Sequence, residues 1–192
     1  LKLYSNDDFK RAARFLQLGV TPAAPENTEP VVWNYLGMAQ LQAGQFDASL
    51  QAIDHFLKSN PDPATGARAQ LTKGRALLGK GDFDAGDKVA QEALQLVKDG
   101  KLQAELLILE GDILAAQGDK VAAAGDQAGA VEKWKASAAK YAVPSQFYDD
   151  PEITPDALYK AAQVLKKAGD EAQANQMLQQ LKPRYPKYQP TN

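Results

Sequence analysis

An all-α protein assembled from repeated helix hairpins is the fold class the sequence predicts, on three observations. Gly37, Gly74 and Gly111 are spaced by 37 residues, and so are Gly44, Gly81 and Gly118, and Phe9, Phe46 and Phe83. Self-similarity at a fixed period of this size is the mark of a repeat architecture, in which each unit buries its apolar face against its neighbours. Within each unit, apolar residues recur at three- and four-residue spacing, which places them on one face of a helix. Glycine and proline fall between these stretches, where turns are needed.

The first full unit shows the logic. Thr28 is expected to cap a helix whose first turn holds Pro30, a position where the missing N–H would be unpaired in any case. Trp33, Leu36, Gly37 and Gln40 share one face of that helix. Gly44 supplies the turn, because glycine takes left-handed backbone angles without a Cβ clash. Phe46, Leu50, Ile53 and Phe56 line a second helix, and Asn60-Pro61-Asp62-Pro63 ends it. Residues 67–99 make a weaker copy, with Gly74, Leu77, Gly81, Phe83, Ala90 and Ala93, and residues 155–188 a good one. At the start, Phe9, Ala12 and Leu16 are expected to face inward from a partial unit. The first residue is Leu1 rather than Met, so the chain is expected to be processed or cut from something longer, and to begin inside a repeat.

The third unit departs from the pattern. Gly118-Asp119 stands where the turn belongs, but Gly125-Asp126 follows seven residues later and heads the better second helix, with Ala130, Trp134 and Ala138. Seven residues is about two helical turns, which favours a lengthened hairpin over an Ala/Gly loop. The stretch Tyr141 to Pro155 reads as a long linker whose three aromatics pack on the repeats, since disordered linkers are poor in aromatics. Thr154-Pro155-Asp156 then reads as a cap, a first-turn proline and a first-turn acid.

Trp33-x-x-Leu36-Gly37, followed by Gly44, Phe46, Ile53, Phe56 and Pro61, resembles the tetratricopeptide repeat (TPR). The resemblance covers nearly the whole chain and implies a right-handed α-α superhelix formed as one solenoid domain over residues 1–192. Its units would be a partial repeat at 1–27 and repeats at 28–63, 64–100, 101–142 with the extended hairpin, and 154–188. It also implies that Gly37, Gly74, Gly111 and Ala162 are the small residues that let the second helix approach the first.

Composition narrows the functions available. The 192 residues hold 22 Lys+Arg against 24 Asp+Glu, one His and no Cys, for a net charge of -2. That balance argues against a nucleic-acid binder, which carries a concentrated basic face. No apolar run approaches the roughly 18 residues of a membrane helix, and no signal-peptide pattern stands in these residues. Without Cys there is no thiolate catalysis and no Cys-based metal site. His55 lies between Ile53 and Phe56 with no nucleophile at a recognisable spacing, so it reads as a partly packed helix residue and no enzyme is expected.

Other candidate motifs have plainer structural readings. Asp149-Asp150-Pro151-Glu152 could hold a hard cation, but it lacks calcium-loop spacing and reads better as a turn before a helix N-terminus. Gly79-Lys80-Gly81-Asp82 is a repeat turn and not a phosphate loop. No cofactor or metal is expected. Lys73 and Glu110 occupy the place of Leu36 in neighbouring units and could pair across the helix interface, or pack their stems and send their heads to water. Lys182, Arg184 and Lys187, with Tyr185 and Tyr188, suit a helix C-terminus better than a base-stacking surface.

In a curved stack of hairpins the concave face is an extended binding surface, and in TPR proteins the first helices line it. The resemblance therefore implies a partner-binding groove of Asn34, Met38, Arg68, Arg75, Glu105, Asp112, Tyr159, Gln163 and Lys166, with Leu41, Leu71 and Ile108 alongside. Arginine beside acids and apolar anchors fits capture of a protein or peptide segment. The TPR subclass that grips a C-terminal carboxylate with paired Lys and Asn fits poorly, because Met38, Thr72, Glu105 and Leu109 stand where clamp residues belong. Short stretches of the last repeat, and Gly111 to Asp119, resemble bacterial cell-envelope TPR proteins, which implies a periplasmic scaffold, with the cytoplasm as the alternative. The rival function is a self-associating structural module that uses its terminal or extended hairpin to form a homodimer.

Overall fold

The computed structural model describes residues 6–97, 100–148 and 150–190, and among them it is all-helical. Nine α-helices follow one another: α1 Asn6–Leu18, α2 Pro30–Gln42, α3 Phe46–Leu57, α4 Pro63–Lys80, α5 Phe83–Leu96, α6 Gly100–Ala123, α7 Gln127–Phe147, α8 Thr154–Lys167 and α9 Glu171–Arg184. A 3-10 turn at Pro25–Asn27 precedes α2. The chain divides into two compact units, Leu1–Val97 and Lys98–Asn192.

In the first unit α2 packs on α1, α3 and α4, and α4 packs on α3 and α5. Its core joins Ala13 of α1, Trp33 and Leu36 of α2, Ile53 and Phe56 of α3, and Ala69 of α4. Ala13, and not Ala12, faces inward on α1; Ala12 is exposed. Trp33 stacks on His55 at 4.5 Å between ring centroids, so the single imidazole is packed against the core edge. Thr28 does not cap α2. Glu29 holds the cap position without a side-chain bond, and the Thr28 hydroxyl instead accepts the N–H of Thr21 at 2.9 Å.

In the second unit α7 packs on α6 and α8, and α8 on α9. α6 runs straight through Gly118 and turns only after Ala123, where Gly125 takes a left-handed φ of +91°. The linker expected from Tyr141 onward is helical as far as Phe147, with Pro144 buried inside α7. Proline there removes only one N–H, the one that would reach the carbonyl of Lys140, and the helix ends within a turn of it. Thr154 is the first residue of α8, not its cap, and its buried hydroxyl has no partner among the described residues.

Each hairpin closes on a pair of small residues. A Cβ on Gly37 would stand 2.6 Å from Ile53, and the Ser49 hydroxyl donates to the Gly37 carbonyl at 2.7 Å. Gly74 and Gly86, and Ala162 and Ala174, hold the same places twelve residues apart, and all four are buried. In the long hairpin the matching bond runs from Ser137 to the Gly111 carbonyl, again at 2.7 Å, across 26 residues. The difference, 26 − 12 = 14 residues, is seven added to each arm.

Candidate functional site

In the first unit the expected binding residues divide between two neighbouring helices. α2 turns Trp33, Leu36, Gly37 and Gln40 to the core, and its other side leaves Val31, Tyr35 and Met38 exposed at spacings of four and three. Asn34 is half-buried beside that stripe, and Leu41 is half-buried with it. α4 is buried nearly all round and opens to solvent along a narrow strip that carries Arg68 and Arg75, with Leu71 buried. Its covered faces are carried mostly by small residues, Gly66, Ala67, Ala69, Gly74 and Ala76. Lys73 turns instead to α3, where its ammonium meets Asp54 at 2.7 Å. Between the 3-10 turn and the α2–α3 pair lies a recess of about 340 Å³ bounded by Pro25, Glu26, Trp33, His55 and Lys58.

In the second unit Glu105 is half-buried on α6, while Gln163 and Lys166 are exposed on α8. Tyr159 is half-buried, with the Tyr188 ring 6.2 Å away. Tyr188 donates its hydroxyl to Asp156 at 3.1 Å, and burial followed by that carboxylate pushes its phenol above the ordinary range. Asp112 is not an open acceptor. It takes the Tyr141 hydroxyl at 2.6 Å and the Lys160 ammonium at 3.0 Å, which ties α6 to α7 and α8. Burial, and then Asp112, pushes the Tyr141 phenol well above its ordinary value. Burial alone would lower Lys160, but the charges of Asp112 and Asp156 outweigh it and leave the ammonium favoured.

This arrangement is repeated one heptad further along. Asp119 accepts the Trp134 indole N–H at 3.0 Å and the Lys167 ammonium at 2.8 Å. Each lysine also lies over the aromatic ring of its own layer, Lys160 over Tyr141 and Lys167 over Trp134. A second pair of rungs follows the same offset: Lys140 meets Glu110 at 2.6 Å and Lys133 meets Gln117 at 3.0 Å. Glu110 therefore pairs with α7, not with Lys73. Under the aromatics sit glycines: a Cβ on Gly111 would come 2.5 Å from the Tyr141 ring, and one on Gly118 2.6 Å from the Trp134 indole nitrogen.

The acidic turn before α8 is likewise engaged. Lys101 meets Glu152 and lies 3.7 Å from Asp150, whose carboxylate also accepts the Glu152 N–H. Asp149 lies outside the described residues.

Sequence reasoning missed Val31 and Tyr35 as surface residues, and Tyr141, Lys160 and Lys167 as partners of the acids. The first two were legible as apolar residues left over once the core face of α2 is assigned. The others follow from Gly-Asp recurring every seven residues at 111, 118 and 125, matched by aromatics at 134 and 141.

No family model matches the chain. Among solved structures it is similar to BtubC (BKLC) from P. vanneervenii, at 16% identity and a TM-score of 0.57, over 96% of this chain and 77% of that one. At that identity the likeness concerns the helical fold alone.

Proposed function

We propose that the chain is a non-enzymatic TPR-type scaffold, a right-handed α-α solenoid that binds a protein segment along the face of its first helices. The observation that carries this reading is the stripe of Val31, Tyr35 and Met38 on α2, with α4 and its two exposed guanidiniums packed next to it. A contiguous row of exposed apolar side chains serves a soluble domain badly unless something covers it. Arginines beside it suit a segment that carries carboxylates, which a guanidinium takes in a two-pronged bond. The 37-residue period and the small–small contacts inside each hairpin support the repeat class. A bacterial envelope complex, in the periplasm, is the setting that the resemblance of the last repeat favours.

Affinity capture from native lysate and membrane extract tests this. Wild type is compared with a Tyr35→Ala, Met38→Ala, Arg75→Glu variant of equal helicity. A partner held by the first and lost by the second supports the reading. Equal retention by both removes the first-helix face from consideration.

A further inference from the structure

The recess beside α2 and α3 gathers polar side chains that nothing in the protein meets. Glu26 reaches it from the 3-10 turn, His55 from the last turn of α3 and Lys58 from the cap that follows. Pro25, Pro30 and Trp33 complete the lining of its roughly 340 Å³. Among the described residues, the side chains of Glu26, His55 and Lys58 have no hydrogen-bond or ion-pair partner, and His55 makes only its stack on Trp33. Glu26 and Lys58 are exposed, and the imidazole is half-buried.

The walls are held in place by the protein itself. The Pro25 carbonyl accepts the Thr28 N–H at 3.1 Å and the Trp33 indole N–H at 3.4 Å. The buried Thr28 hydroxyl accepts the Thr21 N–H at 2.9 Å. The 3-10 turn is thereby tied both to α2 and to the residues ahead of it. Small molecules bind in preformed hollows of about 300–1,000 Å³ that combine apolar walls with a few placed polar groups. This hollow stands at the small end of that range, which suits an amino acid better than a nucleotide.

We infer that the recess binds a free aromatic α-amino acid. The ring enters among Pro25, Pro30, Trp33 and His55, where offset or edge-on contact between rings adds to the burial of apolar surface. The ammonium meets Glu26 and the carboxylate meets Lys58, so both charges of the ligand and both of the rim are answered together. His55 keeps a ring nitrogen for one further hydrogen bond. Charge selects this occupant. Inorganic phosphate would gain Lys58 but face Glu26 as a like charge, and a simple amine would leave Lys58 unmet. An aromatic residue of a protein segment offers the same ring, but inside a chain it carries neither charge and at a chain end only one. The site uses none of Val31, Tyr35 and Met38, so it goes beyond the scaffold reading, and each can fail without the other.

The probe is L-phenylalanine, titrated into the isotope-labelled full chain to about 10 mM, well past a Kd of about 1 mM. The Trp33 indole N–H signal is the readout, and that of Trp134, in the second unit, is the internal control. The Trp33 signal is expected to move saturably and the Trp134 signal to stay. N-acetyl-phenylalanine lacks the ammonium, phenylalaninamide lacks the carboxylate and L-leucine lacks the ring; each should bind about fivefold more weakly or worse. Lys58→Glu, and separately Glu26→Lys, should weaken L-phenylalanine binding by about the same factor, while Lys58→Glu leaves the amide no weaker than before. Both residues are exposed, so circular dichroism should show unaltered helicity. No saturable movement at Trp33, equal affinity for the capped forms or for L-leucine, or unchanged affinity in both variants overturns the inference. So does the same shift produced by inorganic phosphate. L-phenylalanine binding that is abolished by Tyr35→Ala with Met38→Ala overturns it as well, because the ligand would then sit on the α2 stripe.

Discussion

The indole N–H of Trp134 donates to Asp119 at 3.0 Å, and seven residues along each helix the hydroxyl of Tyr141 donates to Asp112 at 2.6 Å. The two rungs use different aromatics and the same acid, each closed by a lysine of α8. The long hairpin therefore contains one packing layer written twice.

Removing the second layer should leave a working hairpin. Deleting residues 118–124 and 127–133 restores a seven-residue step from Gly111 to the turn glycine and sets Trp134 two residues past it. Phe46 and Phe83 hold that place after Gly44 and Gly81. The shortened chain is expected to unfold in one urea transition with native-like mean helicity, at a lower midpoint because the Asp119–Lys167 layer is gone. A non-cooperative transition would show that the two layers are not equivalent.

Gly111→Ala should destabilise more than its size suggests. The new methyl meets the Tyr141 ring at 2.5 Å, and Tyr141 is pinned by Asp112, so the ring cannot swing aside. Overpacking of this kind costs about 1–3 kcal/mol, read as a drop in the urea midpoint. Adding Tyr141→Ala to Gly111→Ala should recover part of the clash, and a strictly additive double variant would refute the contact.

Glu110 is 2% exposed and depends on Lys140. Lys140→Met strands that carboxylate. The loss should be on the order of 2–3 kcal/mol, below the figure for a fully buried pair because Lys140 keeps some water. Glu110→Gln should be nearly silent, since Gln117 already accepts from Lys133 at the equivalent rung. Chemical denaturation of the three chains decides it.

Alkali should loosen the second unit before it affects much else. The Tyr141 phenol sits above its ordinary value of 10.0 in the fold, so between the unfolded and folded values the native state binds the extra proton. Its contribution is whole below pH 10.0 and falls as pH rises toward the folded value, at about 1.4 kcal/mol per pH unit for one proton. Lys160, raised from 10.5, acts in the same direction. Tyr141→Phe should start less stable at pH 8 and show a shallower decline in melting temperature above pH 10. Parallel curves for the two chains would contradict this.

The repeat was legible because its signals are backbone requirements: a turn glycine and a small residue seven positions before it leave the same trace wherever they occur. The caps were not legible. Thr28 and Thr154 have the right residue type, but tertiary contacts claimed one hydroxyl and burial isolated the other. The stretch from Tyr141 read as a linker, yet α7 runs on to Phe147, because a proline costs a helix little when it lies within a turn of its end. Asp112 looked like a groove acid since its partners, Tyr141 and Lys160, lie 29 and 48 residues away. Val31 and Tyr35 were hidden by their own apolarity, which reads as core until the core face has been counted.

Seven residues turn a helix through about 700°, some 20° short of two revolutions. An arm lengthened by that quantum keeps its glycines, acids and aromatics almost in phase with the arm it was copied from, and reaches about 10 Å further. The α6–α7 hairpin can thus be adjusted in reach like a telescoping rod, in fixed steps, while the seat at Gly111 and Ser137 stays as it was. A step of five or nine residues would instead rotate Asp119 by about 140° or 180° away from Lys167, so only certain lengths keep the rung.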